Sequence, residues 1–542
     1  MHSCGFTHTI RHRTLKYNIL ATKYTQKNDK VIFMARAAKK KDTKQVSMEE
    51  ALWDAADEMR GSVEYPVYKQ VVLGLVFLKF VSDRFERRKQ ELIAEGKEKM
   101  VEQSFAYTMK NVFYLPEKAR WSYLATEAAK QSDLKLQLDN AMEIIEKNNE
   151  TLKGALPSNF YVTVDLDVSK LASLIDIMNG VDLSKDEEED VIGRVYEYFL
   201  SKFSSKEGKG EFYTPKPIVK IITEMIQPLK GRIFDPCCGS GGMFVQSMKL
   251  VQAHHGNKAD ISIYGQEYTL TTLKLAKMNL AIRGISANFG DRNDDSLRRD
   301  LHKDLRADFV MANPPFNQDK WGADELTDDP RWVYGIPRGN ANYAWIQHFL
   351  YHLNDNGVAG FVLANGSLTS NTNGDGEIRK NLVDRQVVDC IVALPEKLFY
   401  STGIPVCLWF CSKSKIRRED DTKDKVLFID CRKMGRLYDR THKTIDDDEI
   451  EKIASTYHNW LAGKGYEDVQ GFCKSVPISE VAESDYMLTP GRYVGLAPEE
   501  EDSEPYEEKM KRLTSELGEL FKESHRLEEE IKKNLKALGF DI

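Results

Sequence analysis

Apolar positions follow helical spacing in the first third of the chain. Ser47 and Glu50 form a capping box, and Leu52, Ala55, Ala56 and Met59 follow at intervals of three and four. A second helix is expected after Pro66, running through Val71, Leu75, Leu78 and Phe85. Helical pattern continues to about Asp190, with breaks at Pro116 and Pro157, so residues 46–189 read as a mainly helical domain. From Asp190 the texture changes to helices alternating with short apolar runs. The strand candidates are Arg232–Phe234, ending at Asp235, then Ile261–Gly265, Asp308–Met311, Gly357–Leu363 and Val387–Ala393. That alternation predicts an α/β domain with a mostly parallel sheet flanked by helices over 190–415, followed by an α/β extension over 416–502. The last segment, 503–542, carries Met510, Leu513, Leu517, Leu520, Ser524, Leu527, Ile531 and Asn534 alternately three and four apart. This is a heptad seam, six of its eight positions apolar, and it predicts a coiled-coil-like helix that needs a partner within or outside the chain.

Composition narrows the picture. A chain of 542 residues is too long for one compact domain, and 41% apolar residues can supply real cores. The net charge of −7 argues against a generally basic surface, so any bound nucleic acid meets local positive charge or relies on a partner. The eight cysteines include one suggestively spaced pair, Cys407 and Cys411, with no second Cys or His pair at zinc-finger distance, so no metal is expected and buried thiols in a reducing compartment are. Met1–Thr14 has no apolar core, and the most apolar run, Val71–Val81, is short and contains Lys79, so the expectation is a cytoplasmic protein with no membrane association. Residues 1–45, with Lys39–Lys41, have no periodicity and read as disordered or as an upstream start, because Met34 opens an ordinary protein beginning.

Chemistry concentrates at strand ends. Asp235-Pro236-Cys237-Cys238-Gly239-Ser240-Gly241-Gly242 follows a strand and opens a helix, a place where backbone approaches a ligand closely and a helix N-terminus favours an anion. No Gly-Lys-Ser/Thr follows, so this is not a P-loop. The next strand ends in Gln266-Glu267, where a carboxylate can hold both hydroxyls of a ribose, or can simply face water. Asp291 comes where a third strand would end and suits a contact to a ligand's adenine, although Asp294 and Asp295 are close by. The most telling run is Asn313-Pro314-Pro315-Phe316, directly after the strand Asp308–Met311. Two prolines stiffen the loop and remove two backbone donors, leaving the Asn313 side-chain oxygen and the Pro314 carbonyl as acceptors for an exocyclic amino group. Phe316 supplies a face on which an extruded base can stack.

The glycine loop followed by Asn313–Phe316 resembles the N6-adenine DNA methyltransferases. Upstream, Gly210-Glu211-Phe212-Tyr213-Thr214-Pro215-Lys216-Pro217-Ile218-Val219 and the helix Val191–Phe199 are similar to the modification subunits of type I restriction-modification systems. So are Tyr114–Trp121, Leu394–Phe399 and Thr402–Pro405, and the likeness spans about Ser47 to Lys415. The resemblance implies a Rossmann-like methyltransferase domain preceded by a helical domain and followed by the heptad helix. It implies that Glu211, Phe212, Tyr213, Thr214, Pro215 and Lys216 bind S-adenosyl-L-methionine with Asp235, Ser240, Gly241 and Gly242, that Glu267 holds its ribose, and that Asp291 contacts its adenine. Asn313, Pro314, Pro315 and Phe316 would take the target adenine. The implied partners are double-stranded DNA, a specificity subunit, a second copy of this chain and, where one accompanies the complex, a restriction subunit. Cys237-Cys238 departs from the pattern, where small residues such as Ala are usual, and Met1 to about Val46 matches nothing in it. A methyltransferase for glutamine or RNA could use a similar loop, but the Phe212–Pro215 block and the helical domain speak against it. A self-sufficient DNA methyltransferase would need a recognition domain, and only Lys415–Ile542 is left for one. A non-enzymatic assembly module would fail to bind the cofactor.

Overall fold

The computed structural model describes residues 50, 53, 57, 64–180, 191–204, 214–399, 403–438, 442–496 and 506–537. The expected extension over 1–45 and the Ser47 cap lie outside them. Helix α1 (Tyr65–Ala94) starts with Pro66 in its first turn, where the missing N–H costs nothing, and runs for 30 residues. It buries Val71, Leu75, Leu78 and Phe85 against α2 (Leu134–Asn148) and α3 (Val168–Asn179). Asp167 caps α3 by accepting from the Ser169 N–H. Pro116 and Pro157 both fall between helices. A fourth helix, α4 (Val191–Ser204), adds Tyr196, Phe199 and Phe203 to the same core.

A nine-stranded sheet follows, in the order β11-β8-β6-β7-β5-β4-β1-β2-β3. Its right half comprises α5 (Lys216–Ile226), β1 (Gly231–Asp235), α6 (Gly242–Ala253), β2 (Ile261–Gly265), α7 (Leu270–Ile282), β3 (Ala287–Asn288) and β4 (Ala307–Ala312). Next come α8 (Asn342–His352), β5 (Leu353–Ala364), α9 (Asp375–Asp384), β6 (Val388–Ala393), β7 (Val406–Ser412) and β8 (Lys425–Asp430). A small ribbon of β9 (Arg436–Leu437) and β10 (Lys443–Thr444), then α10 (Asp447–Leu461) and β11 (Cys473–Pro477), complete the domain. β1 is parallel to β2 and β4, β2 to β3, β4 to β5, and β6 to β8. β7 runs antiparallel between β5 and β6, and β11 antiparallel on the edge.

Alternation along each strand divides two cores. Ile233, Met311, Val362, Val392, Phe410 and Ile429 face α5, α6 and α10, while Phe234, Val310, Phe361, Ile391, Trp409 and Phe428 face α8 and α9. Past residue 415, β8 and β11 extend the same sheet, and Arg418 grips Asp389 of β6 with two bonds of 2.8 and 2.7 Å. The last helix, α11 (Tyr506–Ala537), has no such cover. Leu513, Leu517, Leu520, Leu527 and Ile531 on it are all exposed. No helix among the described residues is long and apolar enough to cross a membrane.

Candidate active site

The site is built where β1 and β4, hydrogen-bonded neighbours, end on the same edge of the sheet. After Asp235 the chain keeps pairing with the strand beside it: Gln266 N–H donates to Asp235 O and Cys238 N–H to Gln266 O, each at 3.0 Å. The loop then turns through Gly239 and Gly241, both at positive φ (53° and 80°), a conformation in which a side chain would be strained. Gly242 opens α6. Two side chains pin this loop from the outside. Glu267, just past β2, accepts from Gly239 N–H at 3.1 Å with one carboxylate oxygen and from Thr269 N–H at 2.9 Å with the other. Asn279 of α7, buried, donates to Ser240 O at 2.7 Å. Asp235 is buried beneath the loop and accepts from Cys237 N–H at 3.0 Å; burial nonetheless pushes its carboxyl up to about 7. Burial also pushes the Cys237 and Cys238 thiols well up, which makes them inert packing rather than nucleophiles.

Asn313 leaves β4 half-buried, Pro314 is buried, and Pro315 is exposed. The Asn313 Nδ2 donates to Thr214 Oγ1 at 2.9 Å, and its Oδ1 is buried with no hydrogen-bond partner among the described residues. An orphaned buried acceptor costs roughly 1–3 kcal/mol, a cost that an incoming donor would relieve. Thr214 reaches it because α5 packs closely on the sheet. A Cβ on Gly360 of β5 would lie 3.0 Å from Ile222 of α5, so glycine there permits the approach. Phe316 packs edge-on against Phe399, with ring centroids 5.8 Å apart. The exit of the loop is fixed by a reciprocal pair: Asn317 N–H donates to Asn342 Oδ1, and Asn342 Nδ2 to Asn317 Oδ1.

The structure thus brings Thr214, Asp235, Ser240, Gly241, Gly242, Glu267 and Asn313–Phe316 to one edge. Lys216 is exposed at the first position of α5, and Pro215 before it is buried. Asp291 is exposed after β3, its carboxylate paired with the adjacent Arg292. Glu211, Phe212 and Tyr213 lie outside the described residues. Asn279 and Asn365, whose buried Oδ1 after β5 also has no partner, were not singled out by sequence; neither sits in a recognisable run. One cluster of metal-ligand type occurs among the described residues, Asp300, His348 and His352, buried behind β1. It is knitted by its own hydrogen bonds. Arg331, which can only donate, reaches His348 Nδ1 at 2.9 Å, leaving the proton on Nε2 and no lone pair there for a metal. His352 spans Leu305 O and Asp300 Oδ2.

Comparison with known proteins matches this architecture. Residues 187–502 match the family model described as N-6 DNA Methylase, and residues 48–178 the HsdM N-terminal domain. The type I restriction enzyme HindI methylase subunit of Haemophilus influenzae is 46% identical over 79% of this chain and 100% of its own length. The MjaIX methylase subunit of Methanocaldococcus jannaschii is 40% identical over 91% of both. Among solved structures, the methyltransferase subunit of a type I restriction-modification system from Streptococcus thermophilus is 26% identical with a TM-score of 0.68, covering 82% of this chain and 98% of that one. With an orphaned asparagine acceptor beside a glycine loop, and relatives matched over 91–100% of their own length, the chain belongs to the N-6 DNA methylase family as an adenine-specific modification subunit of the type I restriction enzymes.

Proposed function

We propose that this chain transfers a methyl group from S-adenosylmethionine to N6 of an adenine in double-stranded DNA, at a site chosen by a separate specificity subunit. The observation that carries the reading is the unpartnered, buried Oδ1 of Asn313, held at the end of β4 beside the glycine loop of β1. The cradle fits the cofactor. Gly241 and Gly242 bring bare backbone to the N-terminus of α6, and Glu267 stands at the end of β2, on the ribose side. Residues 211–216 and Ser240–Gly242 would hold its methionine portion, Glu267 its ribose and Asp291 its adenine, while Asp235 supports the loop from beneath.

The cofactor supplies an activated methyl whose sulfonium makes it electrophilic. The protein's task is the nucleophile. The adenine amino nitrogen is poor because its lone pair is delocalised into the ring. Asn313 Oδ1 and the Pro314 carbonyl accept its two hydrogens, favour a pyramidal nitrogen, and stabilise the positive charge that grows on it. Asparagine is no general base, and none is needed before attack: the methyl–sulfur bond would break as the methyl–nitrogen bond forms, and the cationic nitrogen would then lose one proton to water. Because a duplex buries this nitrogen, the base must leave the stack, at a cost of a few kcal/mol, and settle against Phe316. The acidic net charge supports a division of labour, with two copies of this chain on one specificity subunit and a restriction subunit where one accompanies them.

The test is Asn313→Ala in the assembled complex. Methyl transfer should fall about 100-fold or more, corresponding to roughly 3 kcal/mol, while S-adenosylmethionine still binds. Transfer at the wild-type rate would remove Asn313 from the mechanism.

A further inference from the structure

We infer that Thr214 is a positioning residue for the transfer: its hydroxyl, tied to one end of the Asn313 amide, fixes the amide plane and so leaves the other end, Oδ1, to meet the amino group of the target. This rests on the proposed role of Asn313. The two ends of an asparagine amide are nearly the same size and opposite in hydrogen-bonding sense, so a half-turn about χ2 would replace the acceptor with a donor. A donor facing an amino group repels it and leaves the nitrogen lone pair unassisted. Pro314 and Pro315 stiffen the backbone after Asn313 but do nothing for that torsion. Among the described residues the Asn313 amide has a single hydrogen-bond partner, Thr214, 99 positions earlier and 2.9 Å away. With Nδ2 engaged there, Oδ1 is left buried and unpaired. A hydroxyl can donate as well as accept, so Thr214 sets the plane, and the two hydrogens of the incoming amino group select the sense the structure already shows. The segment that leads into α5 thereby acts on the loop of β4, and two parts of the site that are remote in sequence are coupled by one bond.

Thr214→Val removes the hydroxyl and keeps the branched shape; Thr214→Ser keeps the hydroxyl. Both are compared with the wild type in the complete complex with its specificity subunit and an unmodified duplex, at saturating S-adenosylmethionine. The single-turnover transfer rate of T214V should fall about 10- to 100-fold, with DNA affinity and melting temperature unchanged, and T214S should rescue most of the loss. The double variant T214V/N313A should be no slower than N313A alone, because a residue acting through Asn313 has nothing left to position. A role confined to holding the cofactor gives a different result: T214V binds S-adenosylmethionine more weakly and recovers its full rate at saturation. That recovery, or losses that multiply in the double variant, overturns the inference. If N313A is slow and T214V is normal, only Thr214 is wrong. If N313A itself is normal, the proposed mechanism fails first.

Discussion

Asp235 ends β1 with its carboxyl buried, and its pKa is pushed up to about 7 by burial, against the bond from Cys237 N–H and with some help from Glu267. In the unfolded chain the same group titrates near the ordinary 3.8. The folded state therefore holds its full advantage from this residue only below the unfolded value. It loses that advantage progressively as pH rises toward 7, where the folded form must ionise as well. Asp235→Asn resembles the neutral acid and can still accept from Cys237. Its stability gain over the wild type, measured by thermal melts without cofactor, should grow from about pH 4 to about pH 7 and level off above that, on the order of a few kcal/mol. A difference independent of pH would show that the carboxyl is not held neutral. None of this is written in the residue type: Asp235 is legible as a strand-end acid, but its protonation depends on how completely the loop above and the neighbouring strands exclude water. Asn313 is similar. The acceptor role proposed for it comes from the run Asn-Pro-Pro-Phe, whereas the bond to Thr214 joins two positions 99 apart and no local pattern encodes it.

Among the elements, those with a period were the legible ones. β1 and β2 begin and end within a residue of the expected strands, and α1 follows its stripe of Val71, Leu75, Leu78 and Phe85. β7 and β8 escaped. Every position of Val406–Ser412 is buried, so the run shows no alternation, and its only visible signal was the Cys407/Cys411 spacing, which the structure explains as two thiols on one face of a central strand. Helix α11 is the opposite case, a strong period whose seam the other described residues leave exposed. Its ion pairs, Arg512–Glu516, Arg526–Glu530 and Lys532–Glu528, run along its own exposed surface, where solvent screens them and they contribute little. Covering the apolar seam would contribute roughly 1.5–3 kcal/mol for each large side chain fully buried. Truncation after Pro498 should therefore leave the melting temperature and cofactor binding unchanged, while assembly with the specificity subunit and target methylation fall sharply. Titrating the truncated chain with that subunit checks this; undiminished assembly would end the docking role.

Across the whole molecule, the helical part and the sheet part share one core. Leu275, Met278 and Ile282 of α7, a helix of the methyltransferase domain, are buried among the side chains of α1 and α4. Met278→Ala should destabilise the protein by roughly 2–5 kcal/mol and do so for both parts at once, seen as a single shifted transition in denaturant melts. Two separated transitions would mean that the parts unfold independently. The far end of the sheet behaves likewise, since β8 and β11 continue it past Arg418 and Asp389. The site itself depends on something still more local. β1 and β4 pair directly, Ile233 with Phe309 and Phe234 with Val310, so the loops proposed to hold donor and acceptor grow from adjacent rungs of one ladder, about 4.8 Å apart. Their spacing owes nothing to any other chain. On the proposed division of labour, the recognition partner can be exchanged over evolutionary time, and a new DNA sequence acquired, without the chemistry having to be rebuilt: the reaction is inherited whole while the address is rewritten.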